Sequence, residues 1–259
     1  MPEQSESSLP PNVIEIHSPQ RDSLRVDSMG GRITLKLGDV QILTSVTRGD
    51  GKKGETHPCT PIFGPDKNNL FGLSQHGNMR NEQCVATKVS ESGNETVIVT
   101  HDIADAPSSY PQGVKVEQQF SVKDGKFTFR MTHTNNGEEE APVNSGEHLY
   151  FSAPQGFERT LINDVNVTDL IKNDTAIRIG ASSIIKIPGL PELVLDQVGF
   201  NYVMLWVGKN ADGQPDGDYV CIEPVEGDPE NFFGSDESMI PPHGGSRTAW
   251  FSISVSNKV

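Results

Sequence analysis

Between Val114 and Thr134 the chain alternates in character with a period of two, interrupted once at its centre. Val116, Gln118, Phe120 and Val122 alternate with polar neighbours as far as Asp124-Gly125, after which Phe127, Phe129, Met131 and His133 resume the same period. A period of two places alternate side chains on one face of a strand, and Asp-Gly supplies the two positive φ angles of a type I′ turn. The segment is therefore a β-hairpin, half buried on one face. Phe251, Ile253 and Val255 repeat the pattern near the C-terminus, and a terminal strand tied into a sheet makes the chain one folding unit.

Shorter β-prone segments lie at 23–26, 32–37 and 40–46, with Gly30-Gly31 and Gly38-Asp39 as turns, and again at 176–187, 202–207 and 219–222. None carries an apolar stripe of helical period and length, and the 25 glycines and 18 prolines interrupt most windows before three turns could form. The expected fold is an all-β antiparallel sandwich forming a single domain over residues 13–259. Residues 1–12, rich in Ser, Glu and Pro, read as a disordered tail. The stretches 51–80 and 227–245 read as long loops of the kind that bind ligands.

Against 21 Lys and Arg stand 35 Asp and Glu, a formal charge of -14, with no basic run to meet a phosphate backbone. Nucleic acid is not an expected partner. The N-terminal residues show no basic-then-apolar leader, and no apolar run reaches 18 residues, so neither secretion nor a membrane is expected. Cys59, Cys84 and Cys221 are an odd, widely spaced trio that reads as three free thiols in the cytoplasm. The sequons at Asn94, Asn166 and Asn173 carry no meaning in that compartment. The chain is expected to be a monomer or weak homodimer.

Four segments gather unusual polar groups. His57-Pro58-Cys59-Thr60-Pro61 is a stiff loop, but two possible ligands without a second pair do not make a metal site. Gln75 to Glu82 places His76, Arg80 and the amides of Asn78 and Asn81 around Gly77, enough to hold several hydroxyls of one ligand; a solvated loop with Arg80 paired to Glu82 is the plain alternative. In Gly146 to Phe151, alternation sends Leu149 and Phe151 to the core and leaves His148 and Tyr150 facing a cleft or solvent. His148 titrates near neutrality and suits proton transfer, although a strand histidine can equally be only hydrogen-bonded. Glu223 ends the apolar strand from Tyr219, where Pro224 should end the ladder; partial burial there raises a carboxyl pKa towards that of a base useful near neutrality.

Taken in order, these segments resemble the aldose 1-epimerase family, galactose mutarotase-like, including its hexose-6-phosphate epimerase branch. Residues 29–43 are similar to the family's opening strands, 57–66 to its Gly- and Pro-containing loop, and His76-Gly77 with Arg80-Asn81 to its first sugar-binding segment. Residues 144–151 resemble the stretch with the catalytic histidine, 220–227 the strand end with the catalytic glutamate, and 241–250 the closing loop and last strand. The resemblance implies a large antiparallel supersandwich that interconverts α and β anomers of an aldose or its 6-phosphate without cofactor or metal. Glu223 would take the C1 hydroxyl proton and His148 would protonate the ring oxygen, from opposite sides of the sugar. His76, Arg80, Asn81 and Tyr150 would bind it.

Two features depart from the family pattern. No local motif chooses the sugar-binding aspartate among Asp164, Asp169, Asp174 and Asp196, and the chain is shorter than many members. A phosphate would call on Arg80 with Arg159 or Arg247. A catalytically silent carbohydrate-binding protein of the same fold is the alternative reading, and a purely structural domain the third.

Overall fold

A computed structural model describes residues 13–91, 94–103 and 107–256; the expected tail at 1–12 lies outside them. Strands Val114–Lys123 and Lys126–Asn135 pair antiparallel down to Lys123 opposite Lys126. Asp124 and Gly125 have φ of 53° and 73°, the signs a type I′ turn requires. Gly125 N–H donates to Asp22 Oδ2 at 3.0 Å and Gly38 N–H to Asp22 Oδ1 at 2.8 Å, so one buried carboxylate ties two turns together.

The hairpin lies in the interior of a nine-stranded sheet. Gly245–Val255 pairs with the second hairpin strand on one edge and with Leu193–Val198 on the other, so the last strand is interior to the sheet. Phe120, Phe129 and Phe251 line its inner face, with ring centroids 5.2 and 5.0 Å apart in sequence along the row. A ten-stranded antiparallel sheet packs against it. That sheet contributes Leu24, Val26, Ile33, Leu35, Leu149, Phe151, Val220 and Ile222 to the common core, all essentially inaccessible to water. The protein is thus an antiparallel β-sandwich. Its one α-helix among the described residues is Thr168–Lys172, and no described helix is long and apolar enough to cross a membrane.

Three segments differ from the sequence reading. The stretch 51–80 is not all loop: Lys53–Glu55 pairs with Ser45–Thr47, and His57–Cys59 joins the large sheet against Gly146–His148. The apolar run at 176–187 is two strands, Thr175–Arg178 and Ser182–Lys186, which part at Gly180 and enter different sheets. Pro224 does not end its ladder, because the strand runs Tyr219–Val225 with Pro224 opposite Val203. On its other edge this strand pairs with Tyr150–Ser152 at one end and with Gly146 at the other, and the pairing lapses between them. The missing proline N–H falls in that lapse, where no ladder bond is lost.

Candidate active site

The lapse also creates the site. The pairings Gly146 with Val225 and Tyr150 with Cys221 share one register, which sets His148 opposite Glu223. Continuing the same row, His57 pairs with His148, Met204 with Glu223, and Ala176 with Met204. Two residues along lies a second row of Tyr150, Cys221 and Trp206, with Asp174 just before the strand that pairs at Leu205. Since side chains two apart share a face, both rows project from the outer face of the large sheet, while Leu149, Phe151, Val220 and Ile222 point to the core. The rows floor a cleft of about 870 Å³.

A loop walls the cleft on the His57 side. His76 and Gly77 have φ of 63° and 67°, and a β-carbon at Gly77 would lie 1.8 Å from Thr60 O, so only glycine lets the loop close there. His76 Nδ1 accepts from Gly64 N–H at 3.1 Å, which fixes the ring edge-on to Phe63. Arg80 Nη1 approaches His57 Nε2 at 3.3 Å, and Nη2 donates to Gln75 O at 3.0 Å. Its own carbonyl accepts from Arg32 Nε and Nη2 at 3.1 and 2.8 Å, and Asn81 Oδ1 accepts from the same guanidinium at 3.2 Å. Glu82, which the plain alternative paired with Arg80, pairs instead with His101 at 2.8 Å.

The floor is a stack of rings. His148 lies face to face with Tyr150 at 4.8 Å and with His57 at 4.8 Å, and Trp206 stands edge-on to it at 5.4 Å. Arg48 covers the indole at 5.1 Å, a cation–π contact that also binds the Ser45–Thr47 hairpin to the cleft rim. His148 Nδ1 and Glu223 Oε1 face each other at 3.5 Å, and neither makes a hydrogen bond. Both side chains are almost fully buried. Burial, then the charges of His57, His76, Arg80 and Arg48, push His148 well below the ordinary histidine range. Burial, then Asp174, pushes Glu223 well above the carboxylate range. Burial and Arg80 also bring His76 to about 3, and His57 is brought to about 3 by burial against the pull of its bond to Glu55 O. Both shifts favour the uncharged forms, neutral imidazole beside protonated carboxyl, so the pair carries one exchangeable proton.

His57, His76, Arg80, Asn81, His148, Tyr150 and Glu223 all line this single cleft. Asp174 is the one of the four candidate aspartates that lines it, bound to Lys209 Nζ at 3.0 Å. The geometry corrects two expectations. His148 and Glu223 stand side by side rather than on opposite sides of a ligand. Arg159 and Arg247 are not at the cleft, Arg247 being spent on the carbonyls of Val143, Glu237 and Met239; the cleft guanidiniums are Arg32, Arg48 and Arg80. Trp206, Arg32 and Arg48 were not singled out by the sequence. The alternation of Tyr202, Met204 and Trp206 carries a signal for the first of them, but nothing local marks the arginines.

The model of the family described as aldose 1-epimerase matches residues 46–180, which carry His57, His76, Arg80, His148, Tyr150 and Asp174. The chain belongs to the aldose 1-epimerase family. Solved structures agree at the level of fold. A galactose mutarotase related enzyme from Lactobacillus acidophilus shares 14% identity at a TM-score of 0.72, over 96% of this chain and 98% of its own. The Slr1438 protein from Synechocystis sp. PCC 6803 gives 15% identity and 0.74, over 100% of both chains. Galactose 1-epimerase from Lactobacillus acidophilus NCFM gives 11% and 0.63, over 98% and 97%. No curated protein sequence gave a match. In this epimerase-family chain Glu223 falls outside the matched segment, and its place in the site rests on the register with His148.

Proposed function

We propose that the protein interconverts the α and β anomers of a hexopyranose by proton transfer at the edge formed by C1, its hydroxyl and the ring oxygen. The observation that carries this reading is the buried pair His148 and Glu223, adjacent at 3.5 Å on a cleft floor. O1 and the ring oxygen are bonded to the same carbon, so neighbouring groups suit them better than groups on opposite faces would. Glu223 takes the O1 proton as the C1=O bond forms and the bond from C1 to the ring oxygen breaks. His148 gives a proton to the departing oxygen. Rotation about C1–C2 presents the other face of the aldehyde, and closure reverses both transfers. One proton enters the pair as one leaves, so the single proton stored between the two groups suffices for the cycle. Moving it from carboxyl to imidazole sets up the tautomer that starts the reaction.

His76, Arg80, Asn81 and Asp174 offer donors and acceptors for ring hydroxyls, and Tyr150 and Trp206 offer apolar faces. A 6-phosphorylated hexose is favoured by one specific observation. Arg32 and Arg80 donate to carbonyl, amide and imidazole acceptors, with no carboxylate among their contacts in the described residues. An anion is the natural complement of two such guanidiniums. The three unpaired thiols support a reducing compartment, and we propose a cytoplasmic site of action.

The test is the rate at which freshly dissolved α-glucose, α-galactose and glucose 6-phosphate reach anomeric equilibrium, followed by polarimetry or exchange spectroscopy. The expected result is saturable acceleration of at least one. Saturable binding with no rate above the uncatalysed reaction would establish the silent carbohydrate-binding protein instead.

A further inference from the structure

Cys221 has no part in that proton traffic, yet it lies in the same row as Tyr150 and Trp206 and two residues from Glu223 on one strand. Its sulfur, a ring nitrogen of His148 and a carboxylate oxygen of Glu223 all lie within 4.8 Å of one another. All three residues are buried, and Nδ1 of His148 and Oε1 of Glu223 point at each other without a hydrogen bond. Zinc bonds of about 2.0 Å to nitrogen and oxygen and about 2.3 Å to sulfur separate tetrahedral ligand atoms by about 3.3 to 3.6 Å. The 3.5 Å between Nδ1 and Oε1 already matches, and the sulfur, within 4.8 Å of both, closes on them by a shift of up to about 1.5 Å. Among the described residues this is the one group of three such donors that converge.

We propose that His148, Cys221 and Glu223 form a binding site for a soft or borderline divalent cation, of which zinc is the type, and that its occupation stops turnover at the cleft. The donor set argues the cation class. One sulfur and one imidazole nitrogen suit zinc and disfavour magnesium and calcium, which take oxygen. Charge argues for closure of the site: thiolate and carboxylate together neutralise the dication in a buried setting, with imidazole as the neutral third ligand. Thiol and carboxyl each release a proton to solvent as the metal bonds form. His148 and Glu223 border the cleft, so the fourth coordination position opens towards it. A metal bound there holds the imidazole lone pair and the carboxylate, leaving neither free for the sugar.

The site is tested on the full-length, metal-free protein with cobalt(II) as the spectroscopic probe and zinc as its competitor. The expected result is one cobalt per chain, with a thiolate-to-cobalt charge-transfer band that zinc abolishes and magnesium does not. Cys221→Ser should remove the band and weaken zinc at least tenfold. Cys59→Ser, whose thiol packs with Phe63 and Val225, should change neither. Absence of stoichiometric uptake, or a band that survives in Cys221→Ser, overturns the site. If Cys221→Ser does not fold, Glu223→Gln decides: it should keep the band and bind zinc at least tenfold more weakly, and unchanged affinity overturns the assignment.

The inhibitory half rests on the epimerase reading. Saturating zinc should lower the anomerisation rate at least tenfold, with recovery on adding a chelator, and full turnover with zinc bound overturns it. Uptake is read without sugar. A protein that binds cobalt through Cys221 but accelerates no hexose would sink the epimerase reading and leave the metal site standing.

Discussion

Arg80 reaches an imidazole nitrogen and a backbone carbonyl with its guanidinium and receives Arg32 on its own carbonyl. A guanidinium donates hydrogen bonds and accepts none, so the contribution of Arg80 is to hold a ligand. Losing a charged hydrogen bond of about 1.5 to 3 kcal/mol corresponds to a tenfold or greater loss in affinity. Arg80→Ala is therefore expected to raise KM about tenfold or more while leaving kcat within a few-fold, as read from initial rates. If the guanidinium meets a phosphate, the loss is larger for glucose 6-phosphate than for glucose; equal losses put Arg80 on the hydroxyls. At this scale the sequence was informative about residue types. His76, Arg80, His148 and Glu223 stood out as polar groups in apolar or glycine-containing settings. Asp174 did not, because what distinguishes it from Asp164, Asp169 and Asp196 is a position in space.

Among the elements, the Asp124-Gly125 hairpin was fully legible, since its turn chemistry and its period of two are both local properties. The Tyr219–Val225 strand was legible only as far as Ile222. Whether Pro224 breaks a ladder depends on which neighbours flank it, and the lapse between Gly146 and Tyr150 is a fact of register. The His57 segment was likewise read as loop because its pairing partner lies some 90 residues on, at Gly146–His148, whereas the His76 segment is the loop the sequence indicated. The most exposed test of these elements is Gly77→Ala. Its methyl group meets the Thr60 carbonyl and a left-handed backbone at once, so the loop bearing His76 and Arg80 must move. The expected cost is about 1 to 3 kcal/mol by denaturant titration, with a rise in KM at least as large as that of Arg80→Ala. A variant of unchanged stability and KM would contradict the close contact that defines the loop.

In the molecule as a whole, buried carboxyl groups set a pH dependence of stability. Glu226 is buried at the end of the Glu223 strand, where burial pushes it up to about 7 although the Ser145 N–H, at 3.1 Å, and Arg247 pull it down. A carboxyl raised in the folded state favours folding while protonated. Its contribution is fully present below its ordinary value of 4.5 and is lost as the pH rises through about 7. Glu226→Gln, uncharged throughout, should therefore gain stability relative to the parent between pH 5 and pH 8, by up to about 3 kcal/mol. Denaturant titrations at the two pH values measure this, and a relative gain in the opposite direction would place the charged form of Glu226 in a stabilising pair.

The sandwich class was visible from periodicity and turn residues, which depend on neighbours along the chain. The site was visible only as a set of candidate residues, because a cleft floor made of two cross-strand rows comes from pairings that no local pattern encodes. What joins fold to chemistry is the position of Glu223 beside His148, and one measurement addresses it most directly. The anomerisation rates of glucose, galactose and glucose 6-phosphate are compared for the parent and Glu223→Gln, with melting temperature and sugar affinity recorded alongside. Replacing the carboxylate by an amide of the same shape keeps the hydrogen-bonding outline and removes the proton acceptor. The expected result is a folded variant that still binds sugar and has lost about 100-fold to 10,000-fold in rate. A folded Glu223→Gln protein that turns over the best substrate within about threefold of the parent, well short of that loss, would contradict the mechanism.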